Sequence, residues 1–88
     1  MAFKLLIEDR ARKEFDALDK PLRKRVGELF ERLETLDDPH DTGKALSANL
    51  KGLWSYRAGN VRIIARIKDT KLVILVVKIG LRNDVYGE

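Results

Sequence analysis

Cysteine is absent from this 88-residue chain, and histidine occurs once, at His40. The first absence removes disulfide staples and thiolate metal sites and suits a reducing cytoplasm. The second rules out the paired-imidazole acid–base chemistry on which many ribonucleases depend. A metal site would need further ligands of the right type, and none are grouped around His40. Long hydrophobic runs are missing too. The longest, Leu72 to Val77, falls far short of the roughly 20 residues that span a bilayer. The opening residues, Met-Ala-Phe-Lys-Leu-Leu-Ile-Glu-Asp, turn acidic too early for a secretory signal. Internal repeats and low-complexity segments are absent as well. One domain over residues 1–88, cytoplasmic, with no cofactor and no membrane partner, is the expectation.

What is present is charge, and it is unevenly spread. The total is +4. Residues 1–43 hold nine Lys/Arg against eleven Asp/Glu, a net of −2, whereas residues 44–88 hold nine against three, a net of +6. Basic charge with little acid to neutralise it is the footprint of a polyanionic partner, nucleic acid first among them. The plain alternative is a solvated surface that keeps a small domain soluble.

Hydrophobic spacing divides the chain into elements. Phe3, Leu5 and Ile7 alternate with Lys4 and Leu6, the pattern of a half-buried strand. Asp9 is placed to cap a helix carrying Ala11, Phe15 and Leu18 on one face. Asp19-Lys20-Pro21 opens a second helix, Pro being tolerated in a first turn where its missing N–H has no partner anyway. That helix carries Leu22, Val26, Leu29, Phe30, Leu33 and Leu36 as one stripe and ends at Asp37-Asp38-Pro39. So short a connection predicts an antiparallel helical hairpin. Residues 39–49 read as loop. From Leu53 the period becomes two: strands over 53–57, 61–67 and 72–79, with turns at Ala58-Gly59-Asn60 and Lys68-Asp69-Thr70-Lys71, and Gly80 as the breaker. The last strand, apolar on both faces, is expected in the sheet interior. The predicted fold is α+β: an N-terminal strand and an antiparallel α-hairpin packed on one face of a mainly antiparallel four-stranded sheet.

Alternation also assigns faces. Val61, Ile63, Ala65 and Ile67 point to the helices, which leaves Arg62, Ile64 and Arg66 on the open side. Arg57, Lys78 and Arg82 stand at the strand ends, Lys51 just before the sheet, and Tyr56, Trp54 and Tyr86 lie among these cations. Guanidinium groups pair with phosphates and aromatic rings stack on bases, so the cluster predicts a nucleic-acid platform. Taken singly, an Arg on a strand is ordinary solvated surface and Trp54 an ordinary core residue. RNA brings its own nucleophile, the 2′-OH, and needs charge neutralised at the pentavalent phosphate and two protons managed. Arg suits the first task and not the second, because it stays protonated. Tyr86 is the best candidate for proton transfer on residue type. Binding without chemistry fits the same residues equally well.

Three segments resemble the RelE/ParE toxin superfamily: Leu50-Lys51-Gly52-Leu53-Trp54-Ser55-Tyr56-Arg57, Gly59-Asn60-Val61-Arg62-Ile63-Ile64, and Ile79-Gly80-Leu81-Arg82-Asn83-Asp84-Val85-Tyr86. The opening strand, helical hairpin and length fit as well. The resemblance implies a toxin of a type II toxin–antitoxin system. RelE-type members cleave mRNA in the ribosomal A site, whereas ParE-type members inhibit DNA gyrase and lack the cleavage residues. Carried over by position, Arg62 and Arg82 match arginines that stabilise charge on the scissile phosphate, and Tyr86 matches a near-terminal tyrosine assigned to proton transfer or base stacking. Arg57 and Ser55 stand where the best-studied members carry two lysines. Ser55 brings no charge, and Lys51 or Lys78 is expected to compensate.

These matches favour the RelE type: a metal-independent, ribosome-dependent mRNA endonuclease with Arg62, Arg82, Tyr86 and Arg57 catalytic. Lys51, Tyr56, Arg66 and Lys78 are then expected to bind RNA. The expected partners are a RelB-like antitoxin, the ribosome and mRNA, with operator DNA reached only through the antitoxin. A ParE-like gyrase inhibitor, or a degenerate toxin that only binds its antitoxin, are the alternatives.

Overall fold

A computed structural model describes residues 3–46 and 52–81. Strand β1, Lys4–Ile7, turns Leu5 and Ile7 toward the core and leaves Lys4 and Leu6 exposed. Helix α1, Asp9–Asp16, follows at once. Glu8 is its N-cap and makes no side-chain capping bond, so Asp9 is the first helical residue and not the cap that its side chain predicts. Ala11 is fully buried on the inner face, with Phe15 and Leu18 packed at its margin.

Helix α2, Lys20–Thr35, has Asp19 at its N-cap and Pro21 in its first turn. Its stripe of Val26, Leu29, Phe30 and Leu33 is buried, and Leu22 and Leu36 pack at the two ends. Phe15 stacks on Phe30 at a centroid distance of 5.9 Å, which fixes how the hairpin closes. Leu36 is already extended, three residues before Pro39. Among the described residues no helix is long and apolar enough to cross a membrane.

A short 3-10 turn, Pro39–Asp41, leads into β2, Lys44–Ala45. Strands β3, Leu53–Ala58, β4, Val61–Lys68, and β5, Val73–Leu81, complete a sheet of order β1-β5-β4-β3-β2. Every pairing is antiparallel except that of β1 with β5. The α+β class and the helices on one face are as predicted, and β5 lies inside the sheet. Among the described residues the sheet has five strands where four are expected, because two residues of the predicted loop pair with β3.

The last strand departs from its predicted limits at both ends. Leu72 sits in the left-handed region at φ 54° after a second 3-10 turn, Asp69–Lys71, so the strand starts one residue late. Gly80 does not break it, because its backbone pairs with Arg62. Between these limits the register slips. Ile64 faces Lys78 but Ala65 faces Val76, leaving Val77 as an extra residue in β5. This bulge keeps Ile74, Val76 and Ile79 all on the helix side, opposite Ile67, Ala65 and Ile63.

Two carboxylates close the strand edges that the pairing leaves open. Beyond Ile7, β5 has no β1 partner, and there Glu14 Oε1 of α1 accepts from the Ile79 N–H at 2.9 Å. Glu34 of α2 accepts from the Leu5 N–H at 3.0 Å. Each helix therefore joins the sheet by a carboxylate that accepts from a strand N–H as well as by its apolar face.

Candidate nucleic-acid interface

The face of the sheet away from the helices is organised in cross-strand rows. One row runs Arg57–Arg62–Gly80, the next Lys44–Ser55–Ile64–Lys78, and a third Leu53–Arg66–Leu75. Arg57 and Arg62 are direct partners, and Gly80 places no side chain beside Arg62. Arg62 also makes an interaction of its own within the chain, and the pair brings two guanidinium side chains to one cross-strand position, an arrangement that suits an anion.

A cleft of about 450 Å³ opens at this point, lined by Gly43, Lys44, Ser55, Tyr56, Arg57 and Arg62. Its floor includes Ser55, only 4% exposed. The wall approaches closely because residue 43 is Gly, with φ +84°. A Cβ there would stand 2.6 Å from Tyr56 Cε1 and 2.9 Å from the Ser55 carbonyl oxygen. The cationic surface continues past the end of the β3–β4 hairpin. Arg57 also lines a depression with Arg25, Glu28 and Arg32 of α2 and Gly59 of the turn. Among the described residues, Lys44, Arg57, Arg25 and Arg32 form no ion pair.

The predicted residues separate under this geometry. Arg57 and Arg62 come together as expected. Arg66 is on the same face, beyond the row that holds Ile64. Lys78 faces Ile64 in register, but its Nζ lies 3.3 Å from Glu14 Oε2, so its charge is engaged by α1. Tyr56 is not on the open face with the cations. Its ring is 3% exposed in the core on the helix side, and its hydroxyl donates to the Pro39 carbonyl at 2.8 Å. Burial, and then the nearby charge of Asp38, push its pKa up to about 12, so the phenol stays neutral and tied to the turn. Alternation excludes it from the open face, since a strand that turns Arg57 outward turns Tyr56 inward. Lys51, Arg82 and Tyr86 lie outside the described residues.

His40 and Trp54 belong to the scaffold. The imidazole Nδ1 is 2.6 Å from Asp38 Oδ1, Nε2 is 3.7 Å from Asp69 Oδ2, and the ring meets Trp54 edge-on at 4.7 Å. Asp38 also accepts from the His40 backbone N–H. These two hydrogen bonds, the backbone one first, hold its carboxyl below the ordinary aspartate value. The histidine thus pins the turn that delivers β2. Among the described residues, no three His, Cys, Asp or Glu are grouped to hold a metal ion.

Sequence reasoning misses Lys44, Arg25 and Arg32 as part of this surface. The two α2 arginines are seven residues apart, and helical periodicity places them on one face. Lys44 gives no such signal, because a two-residue strand has no period.

Comparison with known proteins agrees with this fold. The family described as "ParE toxin of type II toxin-antitoxin system, parDE" matches residues 5–86. No curated protein gives a significant sequence match. The toxin–antitoxin complex RelBE2 from Mycobacterium tuberculosis contains a chain 26% identical with a TM-score of 0.84, covering 96% of this chain and 95% of that one. The archaeal RelE–RelB complex from Pyrococcus horikoshii gives 23% identity and a TM-score of 0.75, covering 96% and 99%. The isolated E. coli RelE toxin gives 23% and 0.69, covering 91% and 84%. The sequence family and the shared sheet and hairpin together place the chain in the RelE/ParE superfamily of toxins from type II toxin–antitoxin systems.

Proposed function

We propose that this chain is a RelE-type toxin that cleaves mRNA in the ribosomal A site and is silenced by a cognate antitoxin. The observation that carries the reading is the Arg57–Arg62 pair on the sheet face away from the helices, with Lys44 and Ser55 in the same cleft. Two guanidinium groups side by side suit the non-bridging oxygens of a phosphodiester. The RNA 2′-oxygen attacks the adjacent phosphorus while the bond to the 5′-oxygen breaks, leaving a 2′,3′-cyclic phosphate and a 5′-hydroxyl. Arg62 and Arg57 stabilise the extra negative charge on phosphorus, a contribution that preorganised donors make most effectively. Arg82 and Tyr86 join this reading through the superfamily resemblance, Arg82 at the phosphate and Tyr86 in proton transfer or stacking. That two of the similar structures are toxin–antitoxin complexes supports a protein antitoxin as partner.

A second reading, inhibition of DNA gyrase without chemistry, draws on the ParE description of the matching family and on serine at position 55. Controlled expression in bacteria separates the two. The RelE reading expects growth arrest without DNA-damage signalling, relieved by Arg62→Ala in protein that still folds. Arrest that induces the DNA-damage response and persists in Arg62→Ala would transfer the assignment to gyrase.

A further inference from the structure

The cleft around Arg57 and Arg62 can neutralise a phosphorane, but arginine cannot complete the reaction. The departing 5′-oxygen must gain a proton, and a guanidinium does not give one up at physiological pH. Of the six described residues that line the cleft, Gly43 has no side chain, and Tyr56 has its hydroxyl bound to the Pro39 carbonyl within the core. His40, the one imidazole, lies away from the cleft between Asp38 and Asp69. Ser55 is a neutral hydroxyl in the floor. Lys44 remains. It is exposed, forms no ion pair among the described residues, and stands directly across from Ser55 in the β2–β3 register.

We infer that Lys44 is the general acid of this site, its ammonium protonating the 5′-oxygen as the phosphorus–oxygen bond breaks. The inference rests on reading the cleft as an RNA-cleavage site. In the balanced step, the 2′-oxygen bonds to phosphorus and its proton passes to water. The electron pair of the breaking bond stays on the 5′-oxygen, which takes a proton from Lys44 Nζ, and water reprotonates the amine. The ammonium reaches the site from β2, one strand further out than Ser55, so a serine at position 55 is compatible with cleavage. The position is built. Gly43 closes on the Tyr56 ring and the Ser55 carbonyl, the Leu46 N–H donates to the Leu53 carbonyl at 3.0 Å, and Tyr56 anchors the preceding turn. Lys78, the other lysine in that row, is paired with Glu14.

The test uses ribosomes carrying mRNA with either the natural 5′-oxygen or a bridging 5′-sulfur at the cleaved bond. A thiolate leaves without being protonated, so a general acid is dispensable for the sulfur substrate. Lys44→Ala should slow cleavage of the oxygen substrate by about 10²-fold or more and leave the sulfur substrate within a few-fold of wild type. Lys44→Arg, which keeps the charge, should be nearly as slow on oxygen. Arg62→Ala should be slow on both. Equal slowing of both substrates by Lys44→Ala, or full rescue by Lys44→Arg, would overturn the general-acid role and leave an electrostatic one. Wild-type rates for Lys44→Ala on oxygen would remove Lys44 from the chemistry, with the nuclease reading intact. Failure of the wild-type protein to cut either substrate would reject the nuclease reading and this inference with it.

Discussion

Arg57 of β3 and Arg62 of β4 stand directly opposite each other on the sheet face away from the helices, two cations in one cross-strand pair. Arg62 makes a further interaction within the chain, so Arg57, which is exposed, is the member of the pair whose charge a substitution isolates. Arg57→Thr removes one of the two facing charges at an exposed site and supplies a good strand former. It should raise stability by up to about 1 kcal/mol in a buffer free of multivalent anions. Added inorganic phosphate should stabilise the wild-type protein more than the variant, because only the pair binds the anion well. Urea denaturation with and without phosphate measures both effects. A variant less stable than wild type in both buffers would show that Arg57 serves the fold and not anion binding.

Tyr56 links alkaline stability to the turn before β2. Its pKa is pushed up to about 12 in the fold against 10.0 ordinarily, so the folded protein holds this proton more tightly than the unfolded chain. Its contribution is therefore complete below about pH 10 and is lost as pH rises toward 12. Tyr56→Phe should cost about 1–2 kcal/mol at neutral pH, since the Pro39 carbonyl loses its donor, and should flatten the alkaline decline. Thermal melts across that pH range, paired with ultraviolet titration of the phenols, provide the check.

How far the sequence reveals this architecture depends on whether a pattern is local. The α2 stripe is legible because Val26, Leu29, Phe30 and Leu33 repeat with the helix, and the open-face position of Arg62 follows from alternation with Val61 and Ile63. Tyr56 is legible by the same rule, but grouping it with its cationic neighbours by composition misplaces it. The Val77 bulge is hidden inside a continuous apolar run, where shifting the register by one residue replaces one aliphatic side chain with another. Long-range pairings are invisible. Glu14 meets Lys78 and Ile79 across 64 and 65 residues, and β2 exists only because β3 lies beside it.

The two carboxylates that close strand edges should differ in worth. Glu14 is partly buried and serves both the Ile79 N–H and Lys78, whereas Glu34 bonds Leu5 in an exposed setting. Glu14→Ala should cost about 1–3 kcal/mol, and Glu34→Ala about 0.5 kcal/mol. Amide hydrogen exchange should speed up at Ile79 in the first variant and at Leu5 in the second, each without the other.

Asp38 reports on the His40 pin. Its pKa is lowered from the ordinary value of 3.8 by hydrogen bonds from His40. The stabilisation from its ionised form is thus present above that value and lost as pH falls through the lowered one. In His40→Ala the ring bond goes and the backbone bond stays, so the Asp38 midpoint should move only part of the way back. Carboxyl carbon NMR titration resolves the shift, and the Leu46 amide should exchange faster as the turn loosens.

The central claim is that the Arg57–Arg62 face cleaves mRNA within the ribosome. It is tested most directly by adding purified protein to a reconstituted translation reaction and mapping new mRNA 5′ ends by primer extension, with naked mRNA and Arg62→Ala as controls. Cuts at A-site codons that require ribosomes and fall by about 10²-fold or more in Arg62→Ala are the expected result. Intact mRNA beside loss of gyrase supercoiling in a parallel assay would contradict the nuclease reading and identify an inhibitor that acts by binding.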